Sequence, residues 1–125
     1  MPSTFTGSGL EKPGSGEQTN TWDDTLNLNF DIIDRLASQA GTITLSGTDH
    51  TLTISDGALS DGQYAVMVFA GSPSGTNTVT ISPNTAKRMF FARNTSGQTV
   101  ILTQGSGGNV TVPNGEAAIV YCDGA

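Results

Sequence analysis

The chain has 125 residues and a formal net charge of −6, and only 13% of its residues are charged, about half the usual share. This balance excludes a surface that binds nucleic acid or anionic lipid, since either needs a basic face. No apolar run approaches the roughly 18 residues of a membrane span, and the single Cys122 excludes an intrachain disulfide.

Residues 1–20 hold four glycines and two prolines and few apolar groups. Little burial is available there to offset chain entropy, so this segment is predicted to be an extended, flexible arm. It lacks the basic region and apolar core of a secretory leader. Phe5, Leu10 and Pro13 are its candidate docking residues. They are either anchors for a partner or incidental residues of a mobile tail.

Residues 21–40 carry the one helical pattern. Thr21, followed by Asp24, fits an acidic capping box, Asp23 and Asp24 suit the positive end of the helix dipole, and Gly41 is the expected stop. Leu26, Ile33 and Ala40 recur every seven residues, and Trp22, Asn29 and Leu36 form the complementary set. Together they predict an a/d seam with one polar position, Asn29, able to set register and subunit number. Phe30 and Ala37 widen the stripe, while Leu28 and Ile32 fall outside it and are expected to face the following domain. Trp22, Leu26, Asn29, Phe30, Ile33 and Leu36 are thus the candidate assembly residues. The competing reading is an ordinary amphipathic helix packed on its own domain.

From residue 42 the period changes to two. Stretches 42–45, 50–54, 63–69, 78–81, 89–92, 100–103, 109–112 and 117–121 read as strands separated by Gly, Asn, Ser and Pro turns. Eight short strands at this spacing predict a small antiparallel β-sandwich, jelly-roll-like, over residues 42–125. The predicted fold class is therefore mainly β, with an arm and one helix in front.

Residues able to carry chemistry are sparse. One histidine, His50, and one cysteine cannot build a zinc site. Ser46, Asp49 and His50 are neighbours, yet they lie in a turn without a nucleophile elbow. Asp56 and Asp61 lack the spacing of a calcium loop. The glycine-rich 105–109 stretch lies between two strands, which suits a hairpin better than a phosphate cradle. Cys122 is expected to be a small buried hydrophobe. Lys87, Arg88 and Arg93 sit beside two phenylalanines. They are either charges that blunt a strand edge or partners for an acidic neighbouring subunit. The expectation is a non-enzymatic protein with no metal and no cofactor.

Two segments carry a further signal. Pro13, Gly14, Gly16, Trp22, Asp24, Asn27, Asn29 and Phe30 resemble a PGxGxxxxxWGDxxNxNFxxID pattern, with Asp23 in place of the usual Gly. The stretch from Val112 to Gly124 is similar to a closing VPxGxxxxVYCDG pattern. Both resemble the N-terminal attachment module of tailed-bacteriophage tail fibres and related virion structural proteins, including those of phage-like particles. The resemblance implies a homotrimeric virion component, assembled in the bacterial cytoplasm, whose partners are copies of itself and other tail, baseplate or capsid proteins. Longer relatives bind the host through a distal domain. Because this chain ends just after Cys122-Asp123-Gly124, a short fibre, fibre adaptor or anchoring module is the expectation. A capsid decoration protein is the alternative, and a module binding host-surface glycan a further one.

Overall fold

The computed structural model describes residues 3–6, 9–16, 18–55, 57–105 and 108–124. Two short strands, β1 (Thr4–Phe5) and β2 (Glu11–Lys12), pair antiparallel ahead of helix α1 (Trp22–Ser38). The body consists of β3 (Ala40–Thr53), β4 (Val66–Ser82), β5 (Lys87–Asn94), β6 (Val100–Thr103), β7 (Val110–Val112) and β8 (Ala117–Asp123). A 3-10 turn, Asp61–Gln63, lies between β3 and β4. The chain is mainly β with one helix among the described residues, as its periodicity predicts.

The direction of strand pairing differs from the expected antiparallel sandwich. β3 and β4 each run through two of the predicted strands and bend between them. β3 lies parallel to β4 along both halves, with Ile43 opposite Phe69 and Leu52 opposite Ile81, and the register shifts between Gly47 and Asp49. The first half of β4 is parallel to β5, pairing Met67 with Ala92, and its second half is parallel to β6, pairing Val79 with Leu102. The result is a stack of three bent rungs. Among the described residues of the body, β7 and β8 alone pair antiparallel, against β6 and β5. Parallel strands need a long crossover, and here the second half of each rung with its turn supplies it.

Alternation along each half-strand sends every second side chain inward. Ile43, Leu45, Leu52, Ile54, Met67, Phe69, Val79, Ile81, Phe90, Ala92, Val100, Leu102, Val112 and Val120 meet in a single buried cluster. Complete burial of a side chain such as Phe69 contributes about 2–3 kcal/mol.

The bends are held by buried amides. Asn77 Nδ2 donates to the carbonyls of Ser46 and Gly47 at 3.4 Å each, tying the second corner to the first. In the third corner, Asn94 Nδ2 donates to Gln98 O at 2.7 Å and to Val112 O at 2.8 Å. Asn94 Oδ1 accepts from Ser96 N at 3.0 Å and from Ser96 Oγ at 2.7 Å.

The Lys87-Arg88 pair splits across the sheet, Lys87 outward and Arg88 inward. Arg88 is buried and donates to the carbonyls of Gly62 and Tyr64. Burial pushes its guanidinium down to about 10, opposed by the neighbouring Cys122. Cys122 is buried as expected, and burial raises its thiol, which keeps it protonated and unreactive at neutral pH.

The helix ends differ from their predicted form. Thr21 is the N-cap, but its side chain makes no capping hydrogen bond; Asp24 N donates to the Thr21 carbonyl instead, at 3.1 Å. Extended Gln39 ends the helix, and Gly41 already belongs to β3. A Cβ at Gly41 would lie 2.3 Å from the Tyr64 ring, so glycine is required there by packing. The Arg35 guanidinium rests over the same ring, 4.6 Å from the Tyr64 centroid, and its Nη1 donates to Ser60 O at 3.1 Å. These contacts seat the C-terminal end of α1 on the body.

Candidate assembly interface

The less exposed residues of α1 are Thr25, Leu28, Asn29, Ile32, Arg35 and Leu36, which share one face at a spacing of three and four. Ile32 is completely buried and Leu28 half-buried, in line with their expected role toward the chain's own body.

Asn29 and Leu36 depart from the predicted seam because both lie on this inner face. Asn29 is occupied within the chain: its Oδ1 accepts from Glu11 N and its Nδ2 donates to Glu11 O, both at 2.9 Å. The amide thus mimics a strand partner for β2 and clamps the arm to the helix. A strict seven-residue template drifts by about 20° per heptad on a straight helix, which is why it assigns 29 and 36 to the wrong side. Asn29→Ala should remove about 1–2 kcal/mol of local stability from the arm. A glutamate-specific protease should then cleave after Glu11 about tenfold faster; unchanged cleavage would show that the clamp is not what holds β2.

The outer stripe comprises Trp22, Leu26, Phe30, Ile33 and Ala37. Trp22 and Phe30 are each 58% exposed, Leu26 41% and Ile33 45%. Among the described residues none covers them further.

The arm is not extended. It folds back as the β1–β2 hairpin, with Gly57 N donating to Gly9 O at 2.7 Å. Gly9 has no room for a side chain, since a Cβ would lie 2.2 Å from Ser55 O. Phe5 is exposed and lies beside Gly57, Leu10 is half-buried, and Pro13 is exposed.

A second apolar surface lies on the outer face of β5 and β8, one that periodicity reasoning missed. Met89 stands opposite Tyr121, and Phe91 opposite Ile119. They are 63%, 69%, 53% and 63% exposed, respectively. Half-buried Val66 and Val68 extend the patch onto β4. The outer face of the other half-sheet is polar instead, with Thr51 beside Thr80 and Thr80 beside Thr103. Sequence carried a usable signal: 89–92 and 117–121 are apolar at consecutive positions, which a strand with one wet face does not need.

The polar candidates do not converge. His50 Nε2 lies 3.0 Å from Asp61 Oδ2, so its acidic partner is Asp61 and not Asp49. Asp61 Oδ1 also accepts from Thr53 N at 2.8 Å, which fixes the loop after β3. Asp56, and Ser106 and Gly107 of the glycine-rich turn, lie outside the described residues. Among the described residues no three His, Cys, Asp or Glu side chains gather as a metal site, and no helix is long and apolar enough to cross a membrane. Comparisons of the chain with protein-family models, curated proteins and solved structures found no match.

Proposed function

We propose that this chain is a non-enzymatic structural component of a tailed-phage particle: a homotrimeric short fibre, fibre adaptor or anchoring module. The observation that carries this reading is the outer stripe of α1. Four large apolar side chains run along a helix whose opposite face is already engaged by the body and the arm. Exposure of this kind on a small, weakly charged protein marks a protein–protein surface. The resemblance of residues 13–34 and 112–124 to the attachment module supplies the particle. The hairpin arm, presenting Phe5 and Pro13, is the part that docks on it, and three weak arm contacts on one trimer add by avidity.

Sedimentation of the full chain at micromolar concentration should give a trimer, and a monomer would sink the assembly reading. Deleting residues 1–20 should abolish incorporation into particles while the deleted chain stays trimeric. Incorporation at the full-length level would remove the arm as the anchor.

A further inference from the structure

We infer that the partner of the outer β5–β8 face is the α1 stripe of a second copy of this chain, so that subunits join helix to sheet rather than helix to helix. This inference rests on the self-assembling reading above and specifies its geometry.

Among the described residues two broad apolar surfaces lie exposed, and they differ in shape. One is a ridge: Trp22, Leu26, Phe30 and Ile33 on α1. The other is a broad face: Met89, Phe91, Ile119 and Tyr121, flanked by Val66 and Val68. The four exposed side chains of that face present on the order of 400 Å².

Charge selects the pairing. Asp23 and Asp34 border the stripe near its two ends on the solvent side, about 16 Å apart along the helix. Lys87 and Arg93 point outward from the same strand as Met89 and Phe91 and bracket them, about 20 Å apart. Among the described residues neither Lys87 nor Arg93 takes part in an ion pair. Asp123 stands across from Lys87 and partly offsets it, whereas Arg93 stands across from Ala117. Arg93 is therefore the stronger electrostatic anchor. A helix-to-helix bundle would instead bring Asp23 and Asp34 of all copies together, where like charges repel. A helix-to-sheet contact is heterologous, and such contacts close into a ring when the rotation permits.

A benzophenone-bearing residue in place of Phe30 tests the geometry, in the full-length chain mixed from light and heavy isotope copies. Photocrosslinks between light and heavy chains should join position 30 to Met89, Phe91, Ile119 or Tyr121. Inter-copy crosslinks from position 30 to α1, or none in a protein that sediments as an oligomer, would overturn the inference and leave the trimer standing. A monomeric wild-type chain would overturn both. Phe91→Asp changes an exposed side chain, so the fold should survive it. It should weaken self-association at least about 30-fold, and wild-type association by this variant would also overturn the helix-to-sheet contact.

Discussion

Asn94→Ala should lower the unfolding free energy by about 3–4 kcal/mol, read as a shift in the urea midpoint at unchanged slope. The side chain is completely buried and makes four hydrogen bonds at the bend between β5 and β6. Truncation strands the carbonyl of Val112 and the amide of Ser96 in or near the core, while Gln98 O keeps the Ser96 hydroxyl at 3.2 Å. A buried polar group left without its partner costs about 1–3 kcal/mol, more than the bond itself contributes. Thr95→Ala is the internal control. Thr95 Oγ1 donates to Phe69 O at 3.2 Å, but that carbonyl already accepts from Thr95 N at 2.8 Å, and the residue is exposed. Its loss should cost under about 1 kcal/mol. Equal shifts for the two variants would mean that the amide network does not hold the bend. Asn94→Asp sharpens the case. An ionised carboxylate has no hydrogen to give Gln98 O and Val112 O, and it is desolvated there. Its folded-state acidity is therefore weaker than in the unfolded chain, so the penalty grows as pH rises through that range and shrinks in acid.

Gly71→Ala should cost at least about 3 kcal/mol, again by denaturant midpoint. Gly71 sits in β4 opposite Leu45, with φ at +97°. An L side chain there carries roughly 1–2 kcal/mol of backbone strain. Its Cβ would also meet Leu45 O at 2.4 Å and Leu45 N at 2.8 Å. Both are main-chain atoms of the paired strand and cannot rotate away, so β3 must separate from β4. Two other glycines divide the effect into its parts. Gly97 has φ at +89° with nothing within 4 Å, so Gly97→Ala should show the conformational strain alone. Gly75 also has open space around it and no positive φ, so Gly75→Ala should be neutral or slightly stabilising. A Gly71→Ala cost no larger than that at Gly97 would show that the close approach of β3 and β4 is not needed.

These two sites make the same structural point. Each strand that bends between the two halves of the body needs a special residue at or near the corner: Gly47 at the register shift in β3, Gly71 and Asn77 in β4, and Asn94 at the end of β5. In the sequence Gly47, Gly71 and Asn94 look like the turn signals that separate hairpin strands. Gly and Asn favour a turn between antiparallel strands and a bend within a rung for the same reason, their tolerance of unusual backbone angles and their short polar reach. Local composition does not distinguish the two.

The candidate interface was legible to a similar depth. Helical periodicity alone places Trp22, Leu26, Phe30 and Ile33 on one face and Leu28 and Ile32 off it. The seven-residue spacing puts Asn29 and Leu36 on the outer face, whereas both lie on the inner one. A helix turns by 3.6 residues rather than 3.5, and only the contact with Glu11 reveals what Asn29 does. Met89 and Phe91 read in the sequence as part of one strand, 89–92, with Phe91 beside basic residues. Their joining with Ile119 and Tyr121 depends on a pairing between strands more than twenty residues apart.

By itself, then, the amino-acid sequence determined which residues form strands, where the helix lies, which side chains alternate into the core and that the surface would be weakly charged. Those properties follow from periods of two and 3.6 and from composition, and they are local. The tertiary structure decided strand direction, the stacking of bent rungs, the inward turn of Arg88 and Asn29, and the opposite character of the two outer faces. Direction and register are properties of pairs of distant segments: burial alternates identically in parallel and antiparallel strands, and only the packed whole selects between them.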